Sequence, residues 1–268
     1  MSLLRRYPIP SYFLVTFAIS WFGAFLVASP YLLHGIPIPK FAGLMMFPAM
    51  LLGPSVSGIF LARVVDGPQG LRDLFVRMRR VSFAPKWFAG LAIPPIFVLT
   101  TLFLLRTFIS PDYSSNRFYI GAAFGVFAGF FEEIGWTGFA FPKLRARFPL
   151  FPAALILGLL WGCWHIPVID YLGTATPHGD YWLHFFLAFV AAMAAIRILI
   201  AWLYSHTKSV LLAQLLHAFS TGSLVVFSPP HITGAQEAFW YATYAILLWL
   251  FITFLILTRR SEFFSPAP

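Results

Sequence analysis

FYIGAAFGVFAGFFEEIGWTGFAF, residues 118–141, is apolar and long enough to cross a bilayer, yet it carries Glu132 and Glu133 side by side. One carboxylate at the centre of a membrane helix costs roughly 2 to 3 kcal/mol on insertion scales. Two in succession need partners, water or protons to hold them there. Nothing about crossing a membrane requires such a pair, so it marks chemistry done at membrane depth.

The surrounding chain reads the same way. It is 60% hydrophobic and 10% charged, with a mean hydropathy of +0.82, whereas soluble domains carry about 25% charged residues. The fold class expected is all-α, a polytopic bundle. Taking about 20 apolar residues per crossing gives eight spans: 12–33, 41–65, 87–109, 118–141, 152–171, 181–204, 209–228 and 238–258. The first follows Arg5 and Arg6 and is too long for a signal-peptide core. Pro48, Pro54, Pro94 and Pro95 fall inside the second and third spans, where neighbouring helices must satisfy the carbonyls they free.

Basic residues test this topology. With eight crossings, Arg5, Arg6, Arg63, Arg72, Arg77, Arg79, Arg80, Lys86, Lys143, Arg145, Arg147, Lys208, Arg259 and Arg260 share one side. Only Lys40, Arg106 and Arg117 face the other. Cytoplasmic loops collect Lys and Arg, so both termini are expected in the cytoplasm of a bacterial inner membrane. The formal charge of +9 is accounted for by this anchoring, and nucleic acid is not an expected partner. The single cysteine, Cys163, excludes an internal disulfide.

Four consecutive segments contribute the ionisable groups at depth, Glu132 and Glu133, then His165, then Arg197, then His217 with Gln214, Ser220 and Thr221, while spans one to three contribute almost nothing ionisable. Residues 118–228 are therefore read as the functional core. Residues 1–117 are read as three scaffold spans, and 229–268 as a last span and tail. Gly121, Gly125 and Gly129 recur every fourth residue, and Glu133 and Thr137 continue that face. Small residues at this spacing let helices approach closely. Glu132 lies about 100° round the helix from Glu133, so the two carboxylates are expected to differ in role. At 1.5 Å per residue, Glu132 and His217 come out about 15 and about 13 Å from the basic side, and His165 near 20 Å. His34, His178, His184, His206 and His231 lie in loops or at span ends, and Trp87, Trp182, Trp202 and Trp240 read as an interfacial belt.

FFEEIGWTGFAFPKL (130–144), LLWGCWHIP (159–167) and WLYSHTKSVLLAQLLHAFST (202–221), in that order, resemble the three motifs of the CPBP (Abi, CAAX prenyl protease type) family of intramembrane proteases. The resemblance covers about 110 residues. It implies that Glu132 matches the water-activating glutamate and His165 its partner. It further implies that Glu133 matches the supporting glutamate and His217 an oxyanion-stabilising histidine. Two departures stand out: Thr137 takes the place of an Arg, and Thr221 that of an Asn or Asp. Trp161 replaces the usual Phe, a mild change. Either the first two replacements weaken activity, or other groups fill in. Arg197 is the candidate to neutralise Glu133, and Ser220 or Thr221 to donate to an oxyanion.

Three functions follow from this reading. The first is an endopeptidase acting on a peptide or protein substrate, membrane-anchored or not, through glutamate-activated water, with lipid as its surroundings. The absence of a compact His-Glu-x-x-His helix favours a metal-free mechanism, but Glu132, His165 and His217 also suit a His₂Glu zinc site. The second is a proton-coupled transporter, against which stands the lack of internal repeats. The third is a catalytically silent scaffold or immunity factor.

Overall fold

The computed structural model describes residues 2–266, and every regular element among them is helical. The helices are α1 (Ser2–Arg6), α2 (Pro8–Leu33), α3 (Lys40–Val65), α4 (Gly67–Met78), α5 (Ile93–Phe108) and α6 (Gly121–Gly135). They continue with α7 (Phe141–Arg145), α8 (Leu150–Trp164), α9 (Trp182–Thr207), α10 (Val210–Phe227), α11 (Gly234–Thr258) and α12 (Arg260–Phe264). The chain is a polytopic helical bundle.

Six segments are long and apolar enough to span a membrane: Pro8–Leu33, Lys40–Val65, Pro85–Phe108, Gly179–Thr207, Val210–Phe227 and Gly234–Thr258. The other two expected spans, both bearing site residues, are helical but irregular. The expected span 118–141 is the helix Gly121–Gly135, followed by a π-helical turn Trp136–Ala140 before α7. The expected span 152–171 is α-helical only from Leu150 to Trp164, after which Ile166–Tyr171 tightens to 3₁₀. Pro167 disfavours α geometry at Ile166 before it, so the helix stops one residue short of His165.

Helix α9 is the buried axis. Every residue from Ala192 to Ala201 is buried, as an all-round apolar sequence requires. It packs on α8, α10 and α11, while α6 is held between α3 and α10. The prolines are satisfied as membrane packing demands. Pro54 cannot bond the carbonyl of Met50; Ser20 Oγ of α2 donates to that oxygen at 2.7 Å. Ser29 does the same for Leu26, four residues before Pro30, at 3.0 Å. One expectation about surface position fails: Trp240 is fully buried and takes no part in an interfacial belt, because α11 turns its N-terminal half inward, onto α9.

Candidate active site

The glycine face of α6 meets α10. A Cβ on Gly125 would come within 2.7 Å of Gly222 Cα, and one on Gly129 within 2.7 Å of the Ala218 nitrogen. This backbone-to-backbone approach brings Glu133 one turn further on to His217, whose Nδ1 lies 2.8 Å from Glu133 Oε1. From α9, Arg197 reaches Glu133 with both terminal nitrogens, 2.8 Å to each carboxylate oxygen. Thr137 Oγ1 donates to Oε2 as well. A carboxylate offers about four acceptor positions, and four donors fill them. Glu133 is fully buried, so it holds partners in place and has no acceptor position left for a reacting proton.

Arg197 reaches this position because α8 carries Gly158, where a Cβ would press on Ala194 Cα at 2.7 Å and Arg197 Cβ at 3.0 Å. Its guanidinium lies over the Trp161 ring, 4.4 Å from the centroid, a geometry that adds cation–π attraction to the ion pair. Trp161 also packs its ring edge-on against His217 at 4.9 Å and His165 at 5.8 Å. One indole thus touches Arg197, His165 and His217.

Glu132 points away from this ion pair. Its Oε2 accepts from Trp161 Nε1 at 2.7 Å and from Trp136 Nε1 at 3.1 Å. No protein donor among the described residues reaches Oε1. His165, at the C-cap of α8, donates from Nδ1 to the Trp161 carbonyl at 2.9 Å, since a carbonyl can only accept. Its Nε2 has no protein partner among the described residues, and neither has Nε2 of His217. None of these three atoms is among the side-chain polar atoms sealed from water without a partner. The site therefore divides into a saturated layer, Glu133–Arg197–Thr137, and an open layer formed by Glu132 Oε1, His165 Nε2 and His217 Nε2.

Ser220 and Thr221 lie one turn beyond His217 on α10. Neither side chain hydrogen-bonds to Glu132, Glu133, His165 or His217 among the described residues. Gln214, one turn before, donates to the Phe130 carbonyl at 2.8 Å and so clamps α10 to α6. No three His, Cys, Asp or Glu side chains among the described residues are placed to hold a metal ion. Glu132, His165 and His217 as arranged do not form a ready ligand set.

Residues 114–223 match the family described as type II CAAX prenyl endopeptidase Rce1-like. That interval holds Glu132, Glu133, Trp161, His165, Arg197 and His217. A protein named CAAX prenyl protease 2, from Methanococcus maripaludis, is 29% identical over 233 residues, covering 77% of this chain and 80% of that protein. Over residues 114–223 the chain is similar to the type II CAAX prenyl endopeptidases.

The guanidinium expected one turn after Glu133 on the same helix comes instead from Arg197 of α9. Trp161, read from sequence as a mild replacement, is the contact centre of the site and a direct donor to Glu132. Only its position four residues before His165 signalled it. Trp136, one turn after Glu132, is a second donor to it, a role not legible in the sequence. His178 lies in a loop, as read, but its burial beside Glu237 was not legible. His178 is buried, stacked on Phe185 at 3.8 Å and 3.4 Å from fully buried Glu237. Glu237 also accepts from the backbone N–H groups of Thr174 and Ala175 at 3.0 and 2.7 Å, tying the loop after α8 to α11.

Proposed function

We propose that this protein is an intramembrane endopeptidase that hydrolyses peptide bonds with water activated by Glu132. The observation that carries the proposal is the division of labour in the doublet: one carboxylate saturated by four donors, its neighbour held by two indoles on a single oxygen. In the reaction, Glu132 Oε1 takes a proton from water as the water oxygen attacks the scissile carbonyl carbon. It then returns that proton to the leaving amine nitrogen as the C–N bond breaks. A carboxylate serves as base and then acid in this way. His165 Nε2 accepts from the same water and fixes its lone pair. His217, held by Glu133 through Nδ1, turns Nε2 toward the tetrahedral oxyanion and serves there as its hydrogen-bond donor. A preorganised donor at that point contributes roughly 3 kcal/mol.

The match to a protein named for CAAX prenyl cleavage supports a peptide or protein substrate presented from the membrane, with a prenylated C-terminal segment as the first to try. The uneven distribution of Arg and Lys supports a cell-membrane protein with both termini cytoplasmic, and a functional core at 118–228.

The test uses purified protein in nanodiscs with prenylated peptides, alongside proteomic comparison of cells carrying wild type or Glu132→Gln. The glutamine keeps an oxygen for the indoles but cannot take a proton. Cleavage is expected to fall by about 10²- to 10⁴-fold with an unchanged melting temperature. Full cleavage by the variant would refute the assignment. A chelator leaves the rate unchanged on this reading, whereas loss restored by zinc would establish a metal mechanism in its place.

A further inference from the structure

Away from the glutamates, α7 meets the C-terminal end of α9 around a pocket of about 200 Å³. It is lined by the apolar Phe141, Pro142 and Ala146 and by the polar Arg145, Tyr204 and Lys208. Among the described residues, three cations of this side have carboxylate partners, Arg77 with Asp73, Lys143 with Asp66 and Arg259 with Glu262. Arg145, Lys208 and nearby Arg80 have none. Arg145 donates only to backbone carbonyls, of Phe148 at 3.1 Å, Pro266 at 3.2 Å and Ser265 at 3.5 Å. Burial, then the guanidinium groups of Arg145 and Arg80, push the Lys208 ammonium below the usual lysine range. Like charges held together without a counter-ion call for an anion.

Two further features mark the pocket. Lys208 occupies the left-handed cap of α9, at φ 55°, a position that glycine or asparagine fills with less strain. A lysine there brings its charge to the pocket despite that strain. The Tyr204 hydroxyl accepts from Arg77 at 2.8 Å, and its own hydrogen has no acceptor among the described residues. The pocket lies where the span ending at Thr207 gives way to the one beginning at Val210, the level at which lipid headgroups sit.

The geometry points to a binding site for the phosphate of an anionic lipid headgroup, with Arg145 and Lys208 as its cationic walls and the Tyr204 hydroxyl as a third donor. Basic pockets between helices at a membrane surface bind such headgroups. The apolar part of the lining suits the glycerol side of a phospholipid better than a fully hydrated ion.

Full-length protein in detergent is titrated with phosphatidylglycerol, phosphatidylcholine and inorganic phosphate, and bound lipid is read by native mass spectrometry. Phosphatidylglycerol is expected to bind selectively. Arg145→Gln and Lys208→Asn should each weaken it on the order of 5-fold, and the asparagine preserves the left-handed cap. Arg145→Lys and Lys208→Arg should retain binding, and Arg72→Ala, an exposed charge outside the pocket on the same side, should change it by less than about 2-fold. Four outcomes overturn the proposal: equal binding of phosphatidylcholine, equal weakening by Arg72→Ala, loss in the charge-conserving variants, or inorganic phosphate competing at the affinity of the lipid.

Discussion

Glu133 is a buried anion whose every acceptor position is used, and Arg197 supplies two of its four donors. Removing one partner from a buried pair leaves an uncompensated charge and costs about 3–5 kcal/mol. Arg197→Ala is therefore expected to lower unfolding stability in detergent by that amount and to reduce cleavage through a displaced His217. Adding Glu133→Gln to it should recover part of the stability, since the orphaned charge is then gone. An Arg197→Ala protein with wild-type melting and activity would refute Arg197 as the replacement for the missing motif arginine. Arg197 was legible in the sequence as the one cation inside an apolar span. That it reaches Glu133 bidentately was not, because this depends on Gly158 letting α8 and α9 close on each other. The roles of Trp161 and Trp136 were illegible for a related reason: an indole in a membrane helix reads as bulk until an acceptor is seen beside its N–H.

Among the elements, the α6–α10 seam decides the site. Gly125→Leu would drive a side chain into the backbone of Ala218 and Gly222, and overpacking of a filled interior costs typically 1–3 kcal/mol. The expected result is a lower melting temperature and a loss of cleavage larger than a Leu substitution at lipid-facing Phe127, which is exposed, produces. Equal effects at the two positions would remove the seam from the account. The four-residue glycine spacing predicted a packed face, but not which helix would fill it. Nor did it reveal the π turn at Trp136–Ala140. Pro142 has no N–H to offer the Gly138 carbonyl, and Arg77 Nη2 of α4 takes that oxygen at 2.9 Å. A distant loop helix thus completes the turn, which no local pattern encodes.

For the molecule as a whole, the basic asymmetry predicts sidedness. In a Cys163→Ala background, Ser115→Cys should react with a membrane-impermeant maleimide on intact cells, and Arg147→Cys only after permeabilisation; both positions are exposed. The reverse pattern would invert the orientation. Composition together with continuous apolar runs of about 20 residues determined that the chain is a membrane helix bundle, because runs of that length cross a bilayer as helices. The sequence also determined where polar groups enter that bundle, since each ionisable residue at depth stands out against its background. Tertiary structure decided which carboxylate is saturated and which is open, because this depends on donors brought from α8, α9 and α10 by close helix packing. It likewise decided the π turn at Trp136–Ala140 and the His178–Glu237 tie, both of which follow from three-dimensional neighbours that sequence distance conceals.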